Sequence, residues 1–150
     1  MWALGLTIVL VCPHDGVLAE EARAARVPPL LVQAVARVES NCDTSAISET
    51  DARGLLQVLA SWLTPRRGMQ PPWLRDNLKA RCGADLHDPR INACWGARLL
   101  RYEFLRAGGD WSRALRAYSG GAYPRYEQRV RRQLRRVTDL ALAGRDQPPG

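Results

Sequence analysis

The sequence predicts a single all-α domain. Three observations carry that prediction: apolar residues recur at helical spacing along most of the chain, no stretch alternates apolar and polar for long enough to suggest a sheet, and no internal repeat is visible. At 150 residues the chain is long enough for one domain with a true core and too short for two ordinary ones. An apolar share of 46% beside 25% charged residues excludes a disordered or fibrous chain.

Residues 1–11 form an apolar stretch, with Trp2, Leu4, Leu6, Ile8, Val9 and Leu10, that is too short to span a bilayer as a helix. The breaker run Cys12-Pro13-His14-Asp15-Gly16 follows, and then Val17-Leu18-Ala19, an acceptable small-residue cleavage site. Residues 1–19 therefore read as a secretory leader, although no Lys or Arg precedes the apolar stretch; a buried N-terminal helix is the alternative. Lipid attachment at Cys12 fits poorly because the bulky Val11 precedes it. The domain is expected over 20–137 and a flexible tail over 138–150, ending in Gly-Arg-Asp-Gln-Pro-Pro-Gly.

Within the domain, 20–26 is expected to be a short polar-faced helix stopped by Val27-Pro28-Pro29. Proline suits the first turn of a helix, where its missing N–H would be unpaired anyway. Leu30, Leu31, Ala34, Val35 and Val38 share one face, so a helix should run over 28–40 until Asn41-Cys42-Asp43-Thr44 breaks it. Residues 54–62 are read as another helix, and 66–88, rich in Pro, Gly and charge, as mostly loop. Asp88-Pro89 opens a long helix with Ile91, Cys94, Trp95, Leu99, Tyr102 and Leu105 on its apolar stripe, ended by Gly108-Gly109. Asp110 is a suitable N-cap for a helix over 111–118. Past Gly120-Gly121 a last helix is expected over 123–137, with Tyr126, Val130, Leu134 and Val137 on one side and Arg125, Arg129, Arg132 and Arg136 on the other.

The net charge of +7 is almost all arginine, Lys79 being the only lysine. It reads either as solvated arginines in a GC-rich coding bias or as attraction to an anionic partner. Nucleic acid is not expected as that partner: no recognition motif accompanies the arginines, and a leader argues against it. Removal of the leader would leave Cys42, Cys82 and Cys94, enough for one disulfide and one thiol in an oxidising compartment. Cys82 with Cys94 closes the shortest loop and would add roughly 3 kcal/mol; Cys42 with either of them stays open. The spacings do not suit zinc, and no metal or cofactor is expected.

One residue stands out chemically. Glu39 follows Val35 by one turn on the apolar side of its helix, where a carboxylate is unusual. A salt bridge to Arg37 or Arg53 would make it structural. Burial against apolar neighbours would instead raise its pKa, which suits a general acid near neutral pH.

Glu39-Ser40 is followed by Ser48, by Gly54-Leu55-Leu56-Gln57, by Asp88-Pro89-Arg90-Ile91-Asn92 with Gly96, and by Ala114-Leu115-Arg116-Ala117-Tyr118. In order and spacing this set resembles the family 1 lytic transglycosylases, across about 20–137. The resemblance implies a lysozyme-like helical fold and a peptidoglycan substrate. It implies Glu39 as the acid/base, Ser48 beside it, Gln57 lining the glycan cleft, and Tyr118 hydrogen-bonded to Glu39. Asn92 and Gly96 would be architectural, as a helix-facing polar contact and a close helix crossing. The chain departs from the family at Ser119, where Asn is usual after the tyrosine and where a shorter side chain would reach toward the sugar. It departs also at Asp51 in place of a glycine, and at Leu56 and Leu59 in place of methionines.

A single carboxylate suffices if the sugar supplies its own nucleophiles, giving a 1,6-anhydro-muramyl product without water, whereas most glycosidases need two. The alternatives are a muramidase that hydrolyses, with Asp51 orienting the water, and a non-enzymatic assembly factor docked on an envelope machine. The resemblance also suggests action in the periplasm beside secretion or conjugation components, with no stable membrane insertion once the leader is gone.

Overall fold

The computed structural model describes residues 12–64, 71–121 and 125–145. Its described elements are helices α1 (Asp15–Ala24), α2 (Pro29–Ser40), α3 (Pro72–Cys82), α4 (Pro89–Arg106), α5 (Trp111–Tyr118) and α6 (Tyr126–Arg145), with a small antiparallel ribbon of β1 (Ala52–Arg53) and β2 (Val58–Leu59). None of these helices is long and apolar enough to cross a membrane. The all-α expectation holds.

Local chemistry sets the helix ends. Pro29 opens α2, and Asn41 closes it in the left-handed region at φ 54°, its N–H bonded to the Arg37 carbonyl. Asp88 and Asp110 cap α4 and α5 by accepting from the backbone N–H groups of Ile91 and Arg113. Around Leu18, Val32, Val35, Leu55, Leu56, Leu100 and Val130, all fully buried, α1, α2, α4 and α6 close the larger part of the core. A smaller part, with Val58, Leu74, Leu78, Leu86 and Trp95, lies under α3. Tyr118 packs against both. Cys82 and Cys94 form a disulfide that ties the end of α3 to α4, as the shortest-loop reading expects.

Four segments differ from the sequence reading. The helix expected over 54–62 is the β1–β2 ribbon followed by one 3-10 turn, Ala60–Trp62. Gly54 at φ 72° and Gln57 at φ 49° bracket its turn, conformations incompatible with a continuing helix. Part of the loop expected over 66–88 is helix α3, whose Leu74 and Leu78, one turn apart, are both buried; residues 65–70 lie outside the described residues. Helix α6 starts at Tyr126 and continues to Arg145, through the first part of the expected tail, while 146–150 lie outside the described residues.

The fourth difference is at the start. Helix α1 begins at Asp15, inside the segment read as leader, and Leu18 is completely buried. Asp15 accepts two bonds from the buried Arg37 guanidinium, at 2.9 and 2.8 Å, and its carbonyl accepts from Gln33. A cut after Ala19 would strip α1 of half its length and leave a buried guanidinium without this carboxylate.

The least replaceable polar group is Asn92 on α4. Its Oδ1 accepts from the Leu56 N–H at 2.8 Å, and its Nδ2 donates to the Arg53 and Leu86 carbonyls, both at 2.7 Å. The turn presses so close to α4 that a Cβ on Gly96 would stand 2.3 Å from a Leu56 methyl, and one on Gly54 2.4 Å from the Asn92 amide. Asn92 and Gly96 thus have the architectural roles expected of them. Asn92→Ala should lower unfolding free energy by about 3 kcal/mol in a urea titration, since three buried backbone groups lose their partner. A loss below about 1 kcal/mol would mean that the turn is held by packing alone.

Candidate active site

Glu39 is the penultimate residue of α2 and is half-buried against α6. Tyr126, the first residue of α6, is buried and donates its phenolic hydrogen to Glu39 Oε1 at 2.5 Å. No other described residue bonds to this carboxylate, and no salt bridge reaches it among the described residues. The two arginines that could have neutralised it are occupied elsewhere, Arg37 with Asp15 and Arg53 with Asp51. Arg129, one turn into α6, lies close enough to act through its charge, but its guanidinium reaches the Val38 carbonyl at 3.5 Å.

The electrostatic balance follows. Burial disfavours the ionised carboxylate and pushes the Glu39 pKa up to about 7, against weaker opposing effects of the Tyr126 hydrogen bond and the Arg129 charge. Both neighbouring phenols keep their protons: burial and the Glu39 charge push the pKa values of Tyr126 and Tyr118 upward. Near neutral pH the group is therefore a carboxylic acid and a carboxylate in comparable amounts. It can give a proton and take one back, with Oε1 fixed by a tyrosine.

The remaining residues expected at the site are distributed around the ribbon. Tyr118 does not bond to Glu39; its hydroxyl donates to the Leu56 carbonyl at 2.6 Å. The reason is the ribbon turn, which brings a backbone acceptor against α5 while α6 delivers Tyr126 to the carboxylate. Ser48 Oγ accepts from the Ala52 N–H at 3.0 Å and pairs with Thr50 Oγ1 at 3.1 Å, which closes the loop leading into β1. Gln57 donates to the Ala46 and Gly54 carbonyls from its left-handed position. Ser119 caps the end of α5 through the Arg116 carbonyl. Asp51 is exposed and accepts from Arg53 Nε and Nη2, at 2.8 and 3.1 Å, which holds its pKa below the usual carboxylate value.

Two residues at the site were given no role there from the sequence. The sequence identifies Tyr126 only as an apolar-side residue of the last helix; that it opens the helix against Glu39 is decided by tertiary packing and carried no local signal. Ser40 donates to the Leu55 carbonyl at 2.8 Å and so joins the end of α2 to the ribbon turn. No group of three or more His, Cys, Asp or Glu that could hold a metal occurs among the described residues.

The raised pKa carries a stability consequence. Between about pH 4.5 and 7 the folded protein retains a proton that unfolded Glu39 has released. Stability from this group is therefore complete below about pH 4.5 and is lost as pH rises through 7. Glu39→Gln keeps an acceptor for Tyr126 without the charge. Urea titrations should find it equal to the wild type near pH 4.5 and more stable by about 3 kcal/mol at pH 8. Equal stability of the two proteins across that range would rule out a desolvated carboxyl.

Comparison with known proteins bears on this arrangement. Among curated proteins nothing matches the chain. The family model described as Transglycosylase SLT domain matches residues 16–140, which takes in α1 from its second residue and most of α6. The chain belongs to that family, the lytic transglycosylases that act on peptidoglycan.

Proposed function

We propose that Glu39 is the only catalytic acid/base of this enzyme and that the product is a 1,6-anhydro-muramyl end. One observation carries the reading: a carboxyl group with a pKa near 7, held at Oε1 by Tyr126 and paired with no cation among the described residues. In the protonated form Glu39 donates to the glycosidic oxygen, and the N-acetyl carbonyl of the muramic sugar stabilises the developing positive charge at C1. The resulting carboxylate then removes the proton from the 6-hydroxyl, whose oxygen closes on C1. One bond breaks, one forms, and the proton returns to Glu39.

The anhydro route is favoured over hydrolysis because the second carboxylate that hydrolysis would call on, Asp51, is exposed and engaged with Arg53 rather than with Glu39. Ser48, Gln57, Tyr118 and Ser119 act in this reading through the surfaces that their loops and helix ends build around Glu39. We place the enzyme in the periplasm, with any leader ending upstream of helix α1. Its role there is local opening of the wall for a secretion or conjugation machine, a reading that rests on its family resemblance.

Digestion of purified peptidoglycan should yield products one water lighter than reducing-end fragments by mass spectrometry. Glu39→Gln should slow their release by at least about 1,000-fold. Because the acid must be protonated, kcat/KM should fall as pH rises through about 7. Tyr126→Phe removes a bond that favours the ionised form and should move that limb to higher pH. Products of hydrated mass only would replace this mechanism with hydrolysis.

A further inference from the structure

Cys12 and Cys42 are separate from the Cys82–Cys94 bridge, and neither is used by the site chemistry. Cys12 is almost wholly buried in the core just ahead of α1, and Cys42 packs against the same cluster two residues beyond α2. Cys42 thus packs against the buried cluster of which Cys12 is a member, and each thiol perturbs the proton affinity of the other. The surroundings are already built to hold these chain ends together. The Asp15–Arg37 pair clamps the first turn of α1 to the last turns of α2, and the Cys12 carbonyl accepts from the Asp15 N–H. Asn41 and Cys42 both lie in the left-handed region, at φ 54° and 61°, so the chain turns sharply after Glu39 and brings Cys42 back to that clamp. Positive φ is uncommon for residues other than glycine.

We infer that Cys12 and Cys42 form a second disulfide in the oxidised protein, tethering the segment ahead of α1 to the turn that follows Glu39. The bridge forms by exchange with a disulfide donor, which is either an envelope thiol oxidase or a small-molecule disulfide. One cysteine of the pair loses its proton and attacks one donor sulfur, releasing one donor thiolate. The thiolate of the other then attacks the sulfur of the first and releases the second donor thiolate. The cysteine pair gives up two electrons, the donor accepts them, and the two cysteine protons end on the donor thiols. Residue 12 therefore belongs to the working domain, whatever the role of Glu39.

Oxidised glutathione serves as the donor for the test. The full chain is purified under reducing conditions, oxidised, alkylated without reduction and digested with trypsin. The four cysteines fall on separate peptides: one ending at Arg23, then 38–53, 82–90 and 91–98. The expected map has no alkylated cysteine and two bridged species, 38–53 with the Arg23-ending peptide and 82–90 with 91–98. Cys12→Ser should leave Cys42 alkylated, and Cys42→Ser should leave Cys12 alkylated once the protein is unfolded. The double variant should melt about 10 °C below the oxidised wild type while keeping the Cys82–Cys94 bridge. Alkylation of both Cys12 and Cys42 in oxidised wild type, or a bridge from Cys42 to Cys82 or Cys94, overturns the inference.

Discussion

Asn92 is completely buried, and a primary amide in that position must satisfy its oxygen and both its N–H groups or cost the fold several kcal/mol. All its partners are backbone groups of the ribbon and of the segment before α4, so one side chain on α4 fixes the path of a turn more than thirty residues earlier in sequence. The helices on either side use the same turn. Ser40 at the end of α2 donates to Leu55, and Tyr118 at the end of α5 donates to Leu56. The end of α2, which carries Glu39, is thus positioned by polar contacts to a turn that Asn92 holds in place. Gly96 completes the arrangement, because any side chain there would displace Leu56.

That scaffold explains how a carboxyl group remains on an apolar helix face. Isolated burial of a charge is expensive, and the group responds by holding its proton rather than by recruiting a cation. Tyr126 supplies one bond to the carboxyl without neutralising it, since a phenol is a donor and carries no charge near neutral pH. The two arginines that the sequence offered as partners are held in other pairs, Arg37 with Asp15 and Arg53 with Asp51.

The helices α2, α4 and α5 were legible in the sequence to within a residue or two because their signals are local: a proline or aspartate at the start, an apolar face, a glycine or asparagine at the end. The Cys82–Cys94 bridge was legible from loop length. Glu39 was legible as an oddity of one face. What failed was whatever tertiary contact decides. Gly54-Leu55-Leu56-Gln57 is apolar enough for a helix, and only Asn92, far along the chain, makes it a turn. Tyr118 and Tyr126 are both plausible partners for Glu39, and the choice between them depends on which helix end the ribbon turn displaces. The apolar start of the chain masked a real element, because α1 follows directly on a segment with the composition of a leader.

The position of Arg129 illustrates how finely the site chemistry depends on helix phase. Arg129 stands one turn beyond Tyr126 on α6, and a bidentate ion pair with Glu39 would bring the carboxyl back to an ordinary acidic pKa. Instead its guanidinium reaches the Val38 carbonyl, one of the unpaired acceptors near the end of α2, so the cation meets the negative end of the helix rather than the acid. Its charge still favours ionisation, but from a distance at which burial prevails. The proton affinity of Glu39 is therefore set by the packing of α2 against α6 as a whole. A change that let Arg129 swing onto the carboxylate would silence the acid while leaving every proposed catalytic residue in the chain.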